Sequence, residues 1–385
     1  MNKGIKKTKL KIPFNKPHLG DNEMKYVMDA HKRGQLAGDG YYTKKCHHWI
    51  EKNIGAKKAL LTHSCTAALE MMALVCELKP GDEVIMPSFT FVSTANAFAL
   101  RGVIPVFVDI REDTLNINEK LIESAITKKT KAIMVVHYAG IGCDMKTIKN
   151  IAIKYNLILL EDSAQGLMSQ YEEEYLGTIG HMGAISFHET KNVISGEGGV
   201  LLLNDKKFIE KAEVVRQKGT NRDKFLRGQV DKYTWVNLGS SYLPGELVAA
   251  YLYAQLRLTK SITRRRVNIW NKYHNHLEVL ESKSLVRRPT IPKNVRFNGH
   301  LYYVLTRSGK ERDELLKHLR NRGILSVFHY VPLHCSPGGL NYARYKGDMR
   351  VTNSVADTLI RLPVFYDLKD DEITDIVNNV KAFYK

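Results

Sequence analysis

Short apolar runs that alternate with helical segments set the strongest limit on how this chain of 385 residues can fold. Four runs rich in valine and isoleucine follow one another between residues 83 and 166: "EVIMPSFTF", "VIPVFVDI", "AIMVVHYAG" and "LILLEDSAQG". Runs of this length and composition indicate buried strands, and the helices or loops between them indicate βαβ units. The sequence therefore predicts an α/β fold around a mostly parallel sheet.

Near residue 250 the pattern of elements changes. The segment that begins at Glu246, "ELVAAYLYAQLRLTKSITRRRVNIWNKYHNHLEVL", has the apolar spacing of one long helix. After it, "HLYYVLTRS" predicts a strand, "ERDELLKHLRNRG" a helix, "ILSVFHYVP" a second strand and the C-terminal segment a last helix. We therefore predict a large domain over residues 1–250 and a smaller α+β domain over residues 251–385.

The charge balance bears on the partners of the protein. The chain has 58 Lys and Arg against 40 Asp and Glu, a formal net charge of +18, which suggests an anionic partner such as nucleic acid, a membrane surface or a phosphorylated substrate. The one dense basic cluster lies near the N-terminus, and we interpret it as a solvated arm in preference to a binding patch; it consists of Lys3, Lys6, Lys7, Lys9, Lys11 and Lys16. Because the sequence has no helix-turn-helix pattern, it argues against a nucleic-acid-binding regulator.

Cysteine usage and hydropathy indicate the compartment. The five cysteines are widely spaced and form no C-x-x-C pair, and no signal peptide precedes the basic start. These features predict a reduced, cytoplasmic protein. No apolar run approaches the roughly 18 residues that span a bilayer, so we expect no membrane partner.

Polar residues follow the predicted strands, at the edge where open α/β sheets bind ligands. The strand Ala59–Thr62 leads into "HSCTAA" and then a helix, whose first N–H groups could cradle a phosphate together with the hydroxyls of Ser64 and Thr66. The alternative is an ordinary helix cap at one of these two residues. Phe89 and Phe91 follow the next strand, and each could be a stacking platform or part of the core.

An acid and a lysine complete this series. Asp162 follows the strand Leu157–Leu160, and Lys191 lies in "SFHETKNVISGEGG", between a β-like run and a glycine-rich turn. Alone, each has an ordinary interpretation as a helix cap or a solvated charge. With the cradle and the aromatic residue they suit pyridoxal 5'-phosphate, because the lysine amine can form a Schiff base with its aldehyde and the acid can keep its ring nitrogen protonated.

Two other kinds of site are disfavoured. No G-x-G-x-x-G motif follows a strand, so a dinucleotide site has no support. The "CHHW" segment at Cys46–Trp49 has metal-ligand residue types, but adjacent residues on one element cannot converge on one ion. We therefore predict no metal site.

The motifs together resemble the DegT/DnrJ/EryC1/StrS sugar aminotransferases, a branch of the fold-type I pyridoxal phosphate enzymes. The resemblance covers essentially the whole chain, and the motifs that carry it include "AGDGYYTKKC", "EVIMPSFTFVSTANAFALRG", "VVHYAG", "LEDSAQG", "SFHETKN" with "GEGG", and "FHYVPLH". Within the family, "KGTNRDKFLRGQVDKYTW" and "LGSSYL" are similar to the subgroup that makes dTDP-4-amino-4,6-dideoxygalactose.

This resemblance implies roles for the residues around the cofactor ring. Lys191 matches the Schiff-base lysine, which later moves a proton between the substrate and the cofactor. Asp162 matches the acid at the pyridine nitrogen, and Gln165 matches the glutamine near the 3-hydroxyl of the ring. Phe91 matches the stacking aromatic residue.

The resemblance also implies the phosphate site and a dimer. Cys65 and Thr66 match the phosphate loop, in which the family often has glycine at the position of Cys65, and Ser186 matches a serine that reaches the phosphate. Ser241 stands where many members have an asparagine that binds the phosphate of the neighbouring subunit. We therefore expect a homodimer with shared active sites.

For the substrate, six residues are candidates, each with an alternative as a core or surface residue: His188, His329, Tyr330, Arg222, Arg227 and Lys232. If the segment of His188 is an extended strand, its side chain and that of Lys191 point to opposite faces. The two arginines and Lys232 suit a nucleotide diphosphate.

The reaction implied is amino transfer from L-glutamate to C4 of dTDP-4-keto-6-deoxy-D-glucose, with a galacto product for a surface polysaccharide such as the lipopolysaccharide O-antigen. The gluco product (dTDP-viosamine) and a 3-keto sugar acceptor stay open as alternatives. A dehydratase of the same fold would have histidine in place of Lys191.

Overall fold

The computed structural model describes residues 10–385. Four lysines of the N-terminal basic cluster, Lys3, Lys6, Lys7 and Lys9, lie outside the described residues, so its interpretation as a solvated arm stays a prediction. The other two members, Lys11 and Lys16, are exposed.

The helices alternate with short strands through the first half of the chain. The strands are β1 (Lys58–Thr62), β2 (Glu83–Pro87), β3 (Ile104–Val108), β4 (Thr130–Val136), β5 (Ile158–Asp162), β6 (Gln170–Tyr171), β7 (Glu174–Tyr175), β8 (Met182–Ser186), β9 (Gly199–Leu203), β10 (Val286–Arg287), β11 (Val295–Arg296), β12 (Tyr302–Thr306), β13 (Arg344–Tyr345) and β14 (Leu359–Leu362). The α-helices are α1 (Glu23–Lys32), α2 (Tyr41–Ile54), α3 (Cys65–Val75), α4 (Val92–Ala99), α5 (Glu119–Ala125), α6 (Met145–Lys154), α7 (Ile209–Arg216), α8 (Arg222–Leu226), α9 (Glu246–Glu281), α10 (Gly309–Asn321), α11 (Pro337–Tyr342), α12 (Arg350–Thr358) and α13 (Asp370–Phe383).

Eight strands form one sheet in the order β1-β9-β8-β5-β4-β2-β3-β13. Neighbours from β8 to β13 are parallel, and β9 is antiparallel to both β1 and β8. The mostly parallel sheet that the sequence predicts is therefore confirmed. The four apolar runs form β2, β3, β4 and β5, side by side in its centre.

Both faces of this sheet are covered. Along β2, Ile85 belongs to one apolar cluster, and its neighbours Val84 and Met86 belong to another. Ile133 and Met134 of β4 divide in the same way. Because successive side chains of a strand point to opposite faces, this division explains why the strands are nearly continuous apolar runs.

A second, smaller sheet in the C-terminal part has the order β10-β12-β14. The long helix α9 contributes Ala249 and Leu252 to the cluster that contains α2, and Tyr273 and Leu277 to the cluster around β12. It passes residue 250 without a break, so both parts of the chain share this helix. The division at residue 250 stays a prediction.

The C-terminal part also supplies the edge of the large sheet. In β13, Arg344 pairs with Val106 and Tyr345 with Phe107, so β13 adds a parallel strand beside β3. The guanidinium of Arg344 donates two hydrogen bonds, of 2.9 and 2.7 Å, to the carboxylate of Glu83 at the start of β2. The ion pair of Arg344 and Glu83 therefore holds β13 at the edge of the sheet.

One predicted strand is wrong. The segment "ILSVFHYVP" forms only single bridges, from Ile324 to Ile12 and from Val327 to Arg361, and then continues as an irregular loop. Because these two residues pair with different parts of the chain, no continuous ladder can form. The regular strand that Val327 contacts is β14 (Leu359–Leu362), which was not predicted from the sequence.

No helix within residues 10–385 is long and apolar enough to cross a membrane. Nor does this part of the chain contain a group of three or more His, Cys, Asp or Glu side chains that could hold a metal ion.

Candidate active site

A cavity of about 700 Å³ opens at the carboxyl-terminal edge of the large sheet, against the C-terminal part of the chain. The loops that follow β1, β2, β5 and β8 line it, because parallel strands end at the same edge. Ten of the residues predicted for the site line this cavity: Cys65, Thr66, Phe91, Asp162, Gln165, Ser186, His188, Lys191, His329 and Tyr330.

Lys191 lies in a turn five residues after the end of β8. Its backbone N–H donates a 2.9 Å hydrogen bond to the carbonyl of His188, which closes the turn. Burial lowers the pKa of the Lys191 amine, and the nearby Cys65 and Asp162 oppose this effect. A lower pKa leaves more of the amine uncharged, as a nucleophile requires.

Asp162 is the last residue of β5 and is buried. Its Oδ2 accepts a 2.6 Å hydrogen bond from the hydroxyl of Thr94, and its Oδ1 accepts one of 3.1 Å from the N–H of Ala164. Thr94 is itself within 2.8 Å of the hydroxyl of Thr90. These contacts fix the carboxylate at the floor of the cavity.

The neighbouring acid, Glu161, points away from the cavity. Its carboxylate accepts hydrogen bonds of 2.8 and 2.7 Å from the N–H groups of Gly177 and Ile179, and it lies 2.9 Å from the Nε2 atom of His137. The alternation expected for a strand therefore separates the two acids. Glu161 is fully buried, and its hydrogen bonds hold the loop of Gly177 and Ile179 in place.

The start of α3 leaves backbone donors free. Ser64 is the N-cap, and its hydroxyl accepts from the N–H of Ala67 at 3.1 Å. The N–H groups of Cys65 and Thr66 make no hydrogen bond to any of the described residues. The alternative of an ordinary cap is thus correct for Ser64, and the first-turn donors stay available for an anion.

A glycine makes room for this helix start. A Cβ atom at Gly199, the first residue of β9, would lie 2.5 Å from the backbone N of Cys65. The glycine at the end of the glycine-rich segment after Lys191 therefore allows a close backbone approach to the start of α3. Ser186, at the end of β8, also lines the cavity, and its hydroxyl accepts a 3.3 Å hydrogen bond from the N–H of His188.

The two phenylalanines after β2 have different environments. Phe89 is 1% exposed and packs edge-on against Tyr138 and Tyr330, so it is part of the core. Phe91 is 58% exposed and lines the cavity at the start of α4. Of the two, only Phe91 presents a free ring face to a ligand.

Gln165 connects this floor to the C-terminal part. Its Oε1 accepts a 2.7 Å hydrogen bond from the N–H of Ala139, and its Nε2 donates one of 3.1 Å to the Tyr330 hydroxyl. Beside it, His329 lies 3.1 Å through its Nδ1 from the hydroxyl of Tyr138. Burial and the charges of Arg361 and Lys191 hold the pKa of His329 well below its usual range, so this imidazole is neutral.

His188 and Lys191 would point to opposite faces only in an extended strand, and the structure shows that this condition is not met. β8 ends at Ser186, so His188 and Lys191 lie in a turn, and both line the cavity. His188 is partly buried, and its ring nitrogens are 2.9 Å from the hydroxyl of Thr190 and 3.5 Å from the carboxylate of Glu197. The alternation of side chains applies only as far as the strand extends.

Four residues predicted for the site lie away from the cavity in this single chain. Ser241 is exposed and forms one bridge with Gln217. Arg222 begins α8, Lys232 is exposed, and Arg227 donates 2.9 and 3.0 Å hydrogen bonds to the carboxylate of Glu213. Their roles at the site stay predictions that need a second subunit.

The structure adds two arginines that the sequence analysis missed. Arg266 of α9 is buried and donates to the carbonyls of Gly299 and His300 at 3.2 and 2.5 Å. Arg361 of β14 reaches the same cavity. The signal for Arg361 was a single charge within the apolar run "LIRLP", whereas nothing in "TRRRV" distinguishes Arg266 from its neighbours.

The chain is similar to known proteins over nearly its whole length. The model of the DegT/DnrJ/EryC1/StrS aminotransferase family matches residues 17–381. The chain belongs to this family. The spore coat polysaccharide biosynthesis protein SpsC of Bacillus subtilis is 30% identical to it, with 97% of each chain covered.

Solved structures of aminotransferases are also similar to this chain. The aminotransferase TlmJ of Streptoalloteichus hindustanus is 28% identical and superposes with a TM-score of 0.89, with 97% of this chain and 98% of TlmJ covered. Spr1654 of Streptococcus pneumoniae, in its PMP form, is 27% identical with a TM-score of 0.89 and the same coverage. The predicted fold-type I architecture and the cofactor are therefore confirmed: this family member is a sugar aminotransferase that depends on pyridoxal 5'-phosphate.

The cavity of this chain fits that cofactor. It has free backbone donors at Cys65 and Thr66 for a phosphate, a fixed carboxylate at Asp162, and a partly buried amine at Lys191. A side chain in place of Gly199 would crowd the helix start, so this glycine keeps the phosphate end open.

Proposed function

We propose that this aminotransferase moves an amino group from L-glutamate to C4 of dTDP-4-keto-6-deoxy-D-glucose and makes the galacto-configured dTDP-4-amino-4,6-dideoxyhexose. The observation that carries the amino transfer is the placement of Lys191, Asp162 and the start of α3 around one cavity. Support for the dTDP-sugar comes from the segments "KGTNRDKFLRGQVDKYTW" and "LGSSYL". The name of SpsC supports a role in the synthesis of a polysaccharide, here a surface polysaccharide such as the O-antigen.

On this proposal, the N–H groups of Cys65 and Thr66 and the hydroxyls of Thr66 and Ser186 would hold the phosphate of the cofactor at the start of α3. The exposed ring of Phe91 would stack on the cofactor ring. Bound pyridoxal 5'-phosphate supplies an aldehyde that exchanges amines and a ring that accepts electrons when Cα loses its proton.

The side chains of this protein then hold and move protons. Asp162 keeps a proton on the ring nitrogen, and Thr94 keeps its carboxylate in place through the 2.6 Å hydrogen bond. Lys191 carries the proton between the donor Cα and C4′ of the cofactor, a task for which its lowered pKa suits it. The neutral imidazole of His329 accepts a hydrogen bond from the substrate beside Tyr330, and His188 lines the same cavity.

A homodimer completes this site. The loop around α8 exposes an apolar stretch that a lone chain would leave in water, namely Phe225, Leu226, Tyr233, Trp235, Val236 and Leu238. Ser241 lies in the same surface segment. We propose that this surface packs against a second subunit and brings Ser241, Arg222, Arg227 and Lys232 to that subunit's cavity.

The configuration at C4 decides between the galacto and gluco products. We expect the NMR spectrum of the product to show a small coupling between H3 and H4, because an axial amine at C4 leaves H4 equatorial. A large coupling would assign the gluco product, dTDP-viosamine, and a carbon spectrum in which C3, and not C4, bears nitrogen would assign a 3-amino sugar. Incubation with a 3-keto isomer as acceptor is the matched control.

Salt dependence tests the diphosphate residues. KM for the nucleotide sugar should rise with ionic strength more than KM for glutamate, because the Debye length falls from roughly 30 Å at 0.01 M to about 10 Å at 0.1 M salt. Changing Arg222, Arg227 or Lys232 to Gln, one at a time, should raise the sugar KM by about tenfold for the residue that binds the diphosphate.

The glutamate half-reaction is the control, since that step does not involve the diphosphate. If none of the three variants changes the sugar KM, these residues do not bind the diphosphate and belong to a subunit contact or to the solvent-exposed surface. For Arg227, the ion pair with Glu213 offers a direct comparison: Glu213→Gln should free Arg227 and leave the sugar KM equal or lower.

A further inference from the structure

Arg361 is a cation in the candidate active-site cavity that has no anionic partner within residues 10–385. It lies in β14, where its backbone pairs with Tyr303 on one side and with Val327 on the other. Its Nη2 donates a 3.1 Å hydrogen bond to the carbonyl of Phe328. Its Nε is buried without a hydrogen-bond partner within residues 10–385, and no carboxylate of that range lies within 4.0 Å of its guanidinium.

A charge in such a place is costly unless an anion compensates it. Burial lowers the pKa of Arg361, and the nearby Tyr138 and Tyr330 oppose this effect only weakly because their hydroxyls are neutral. A guanidinium stays protonated under these conditions. Arg361 is only partly buried, but its Nε is enclosed and has no partner within residues 10–385, so the site suits a ligand with negative charge.

The position of Arg361 selects the kind of anion. Arg361 and Lys191 line the same cavity, and the charge of Arg361 contributes to the lowered pKa of Lys191. An amino-acid donor brings its α-carboxylate one bond from the carbon whose amine replaces the Lys191 amine. The carboxylate of the donor must therefore bind close to Lys191, whereas the diphosphate of a sugar nucleotide lies beyond the sugar ring.

The surroundings of Arg361 also favour a small anion. The ring of Phe14 lies 4.7 Å from its guanidinium carbon, and Phe328 and Tyr330 line the cavity beside it. These apolar walls admit a planar carboxylate that can accept two parallel hydrogen bonds.

We propose that Arg361 binds the α-carboxylate of the amino-acid donor. This proposal rests on the proposed amino transfer and names the residue that recognises its donor. The competing role is a structural one, in which Arg361 only holds the carbonyl of Phe328 and so positions the loop of His329 and Tyr330.

The two half-reactions separate these roles. In the first, Arg361→Met loaded with pyridoxal phosphate is mixed with L-glutamate, and the loss of visible absorption is followed. We expect the glutamate concentration at half-maximal rate to rise about 100-fold, and Arg361→Lys to restore part of the loss. In the second, the same variant loaded with pyridoxamine phosphate is mixed with the keto sugar, and the rate should stay within about threefold of the wild type.

Two controls sharpen the comparison. Arg287→Met changes an exposed arginine of the same small sheet and should leave both half-reactions unchanged. The amine 4-aminobutyrate lacks the α-carboxylate of glutamate, so Arg361→Met should lose the preference of the wild type for glutamate over this amine. In the reverse half-reaction, in which 2-oxoglutarate takes the amine of the pyridoxamine form to give glutamate and the pyridoxal form, the 2-oxoglutarate concentration at half-maximal rate should rise to a similar degree.

Other outcomes overturn the proposal. Equal losses in both half-reactions would show that Arg361 positions the loop, and a loss confined to the sugar half-reaction would assign it to the nucleotide. If Arg361→Met fails to bind the cofactor, Arg361→Gln provides the same comparison with a side chain that keeps hydrogen-bond donors. A wild-type protein that accepts no amino-acid donor would refute the proposed function itself, and the first measurement would show this before any variant is made.

Discussion

Replacement of Lys191 by alanine is expected to reduce turnover by about 10⁴-fold or more, because one side chain supplies both the amine that holds the cofactor and the proton carrier at Cα. The wild-type protein should be yellow, and borohydride should attach the cofactor to Lys191 irreversibly. Peptide mapping of the reduced protein locates the label. The lowered pKa of this amine in its turn after β8 is the structural reason for the expectation.

The matched control is Lys131→Ala, which removes an exposed lysine from β4, a strand of the same sheet. That variant should keep its colour and its turnover. A borohydride label on any lysine other than Lys191 would contradict the assignment, whatever the activity of the alanine variant.

The second large effect is expected for Asp162→Asn. Asparagine keeps the size of the side chain and its acceptor for the Thr94 hydroxyl, but it has no negative charge to hold a proton on the ring nitrogen. The proton-transfer step should slow by about 10³-fold, while the bond between Lys191 and the cofactor still forms. Stopped-flow absorbance of the glutamate half-reaction measures this step directly.

Glu161 provides the comparison for Asp162, since it is the adjacent acid on the same strand. Its carboxylate accepts hydrogen bonds from the N–H groups of Gly177 and Ile179 and does not face the cavity. Glu161→Gln should therefore lower the melting temperature and leave the proton-transfer rate of the folded enzyme near that of the wild type. If Asp162→Asn keeps a near-normal half-reaction, another acid protonates the ring nitrogen.

Local sequence patterns predicted the centre of the fold and placed Asp162 at a strand end, whereas Ser186 was predicted from the family resemblance and the roles of both residues stay predictions. The runs that became β2 to β5 are buried on both faces, so their composition alone identifies them. Asp162 and Ser186 each end a strand of this sheet, and parallel topology brings such strand ends together. The site could be anticipated because its residues lie in order along one edge.

Residues that reach the cavity from distant parts of the chain were harder to predict. Arg361 and Arg266 depend on how the C-terminal part packs against the large sheet. The single charge in "LIRLP" marks Arg361 as unusual but does not show which cavity it reaches, and Arg266 has no local signal at all. The failed strand at Val327 has the same cause, since its backbone pairs with Arg361 and not with a neighbour in sequence. Ser241 needs a second subunit, which a single sequence shows only through resemblance.

The pairing of β13 with β3 sets an order for folding during synthesis. β3 ends at Val108, but the strand that covers its outer edge is Arg344–Tyr345, more than 200 residues later in the chain. Until those residues leave the ribosome, the edge of β3 shows unpaired N–H and C=O groups to other nascent chains. Contacts at such separation form late and slowly. A chain that is cut before residue 344 should therefore accumulate as aggregates that recruit chaperones, even though every residue at the floor of its cavity has already been made.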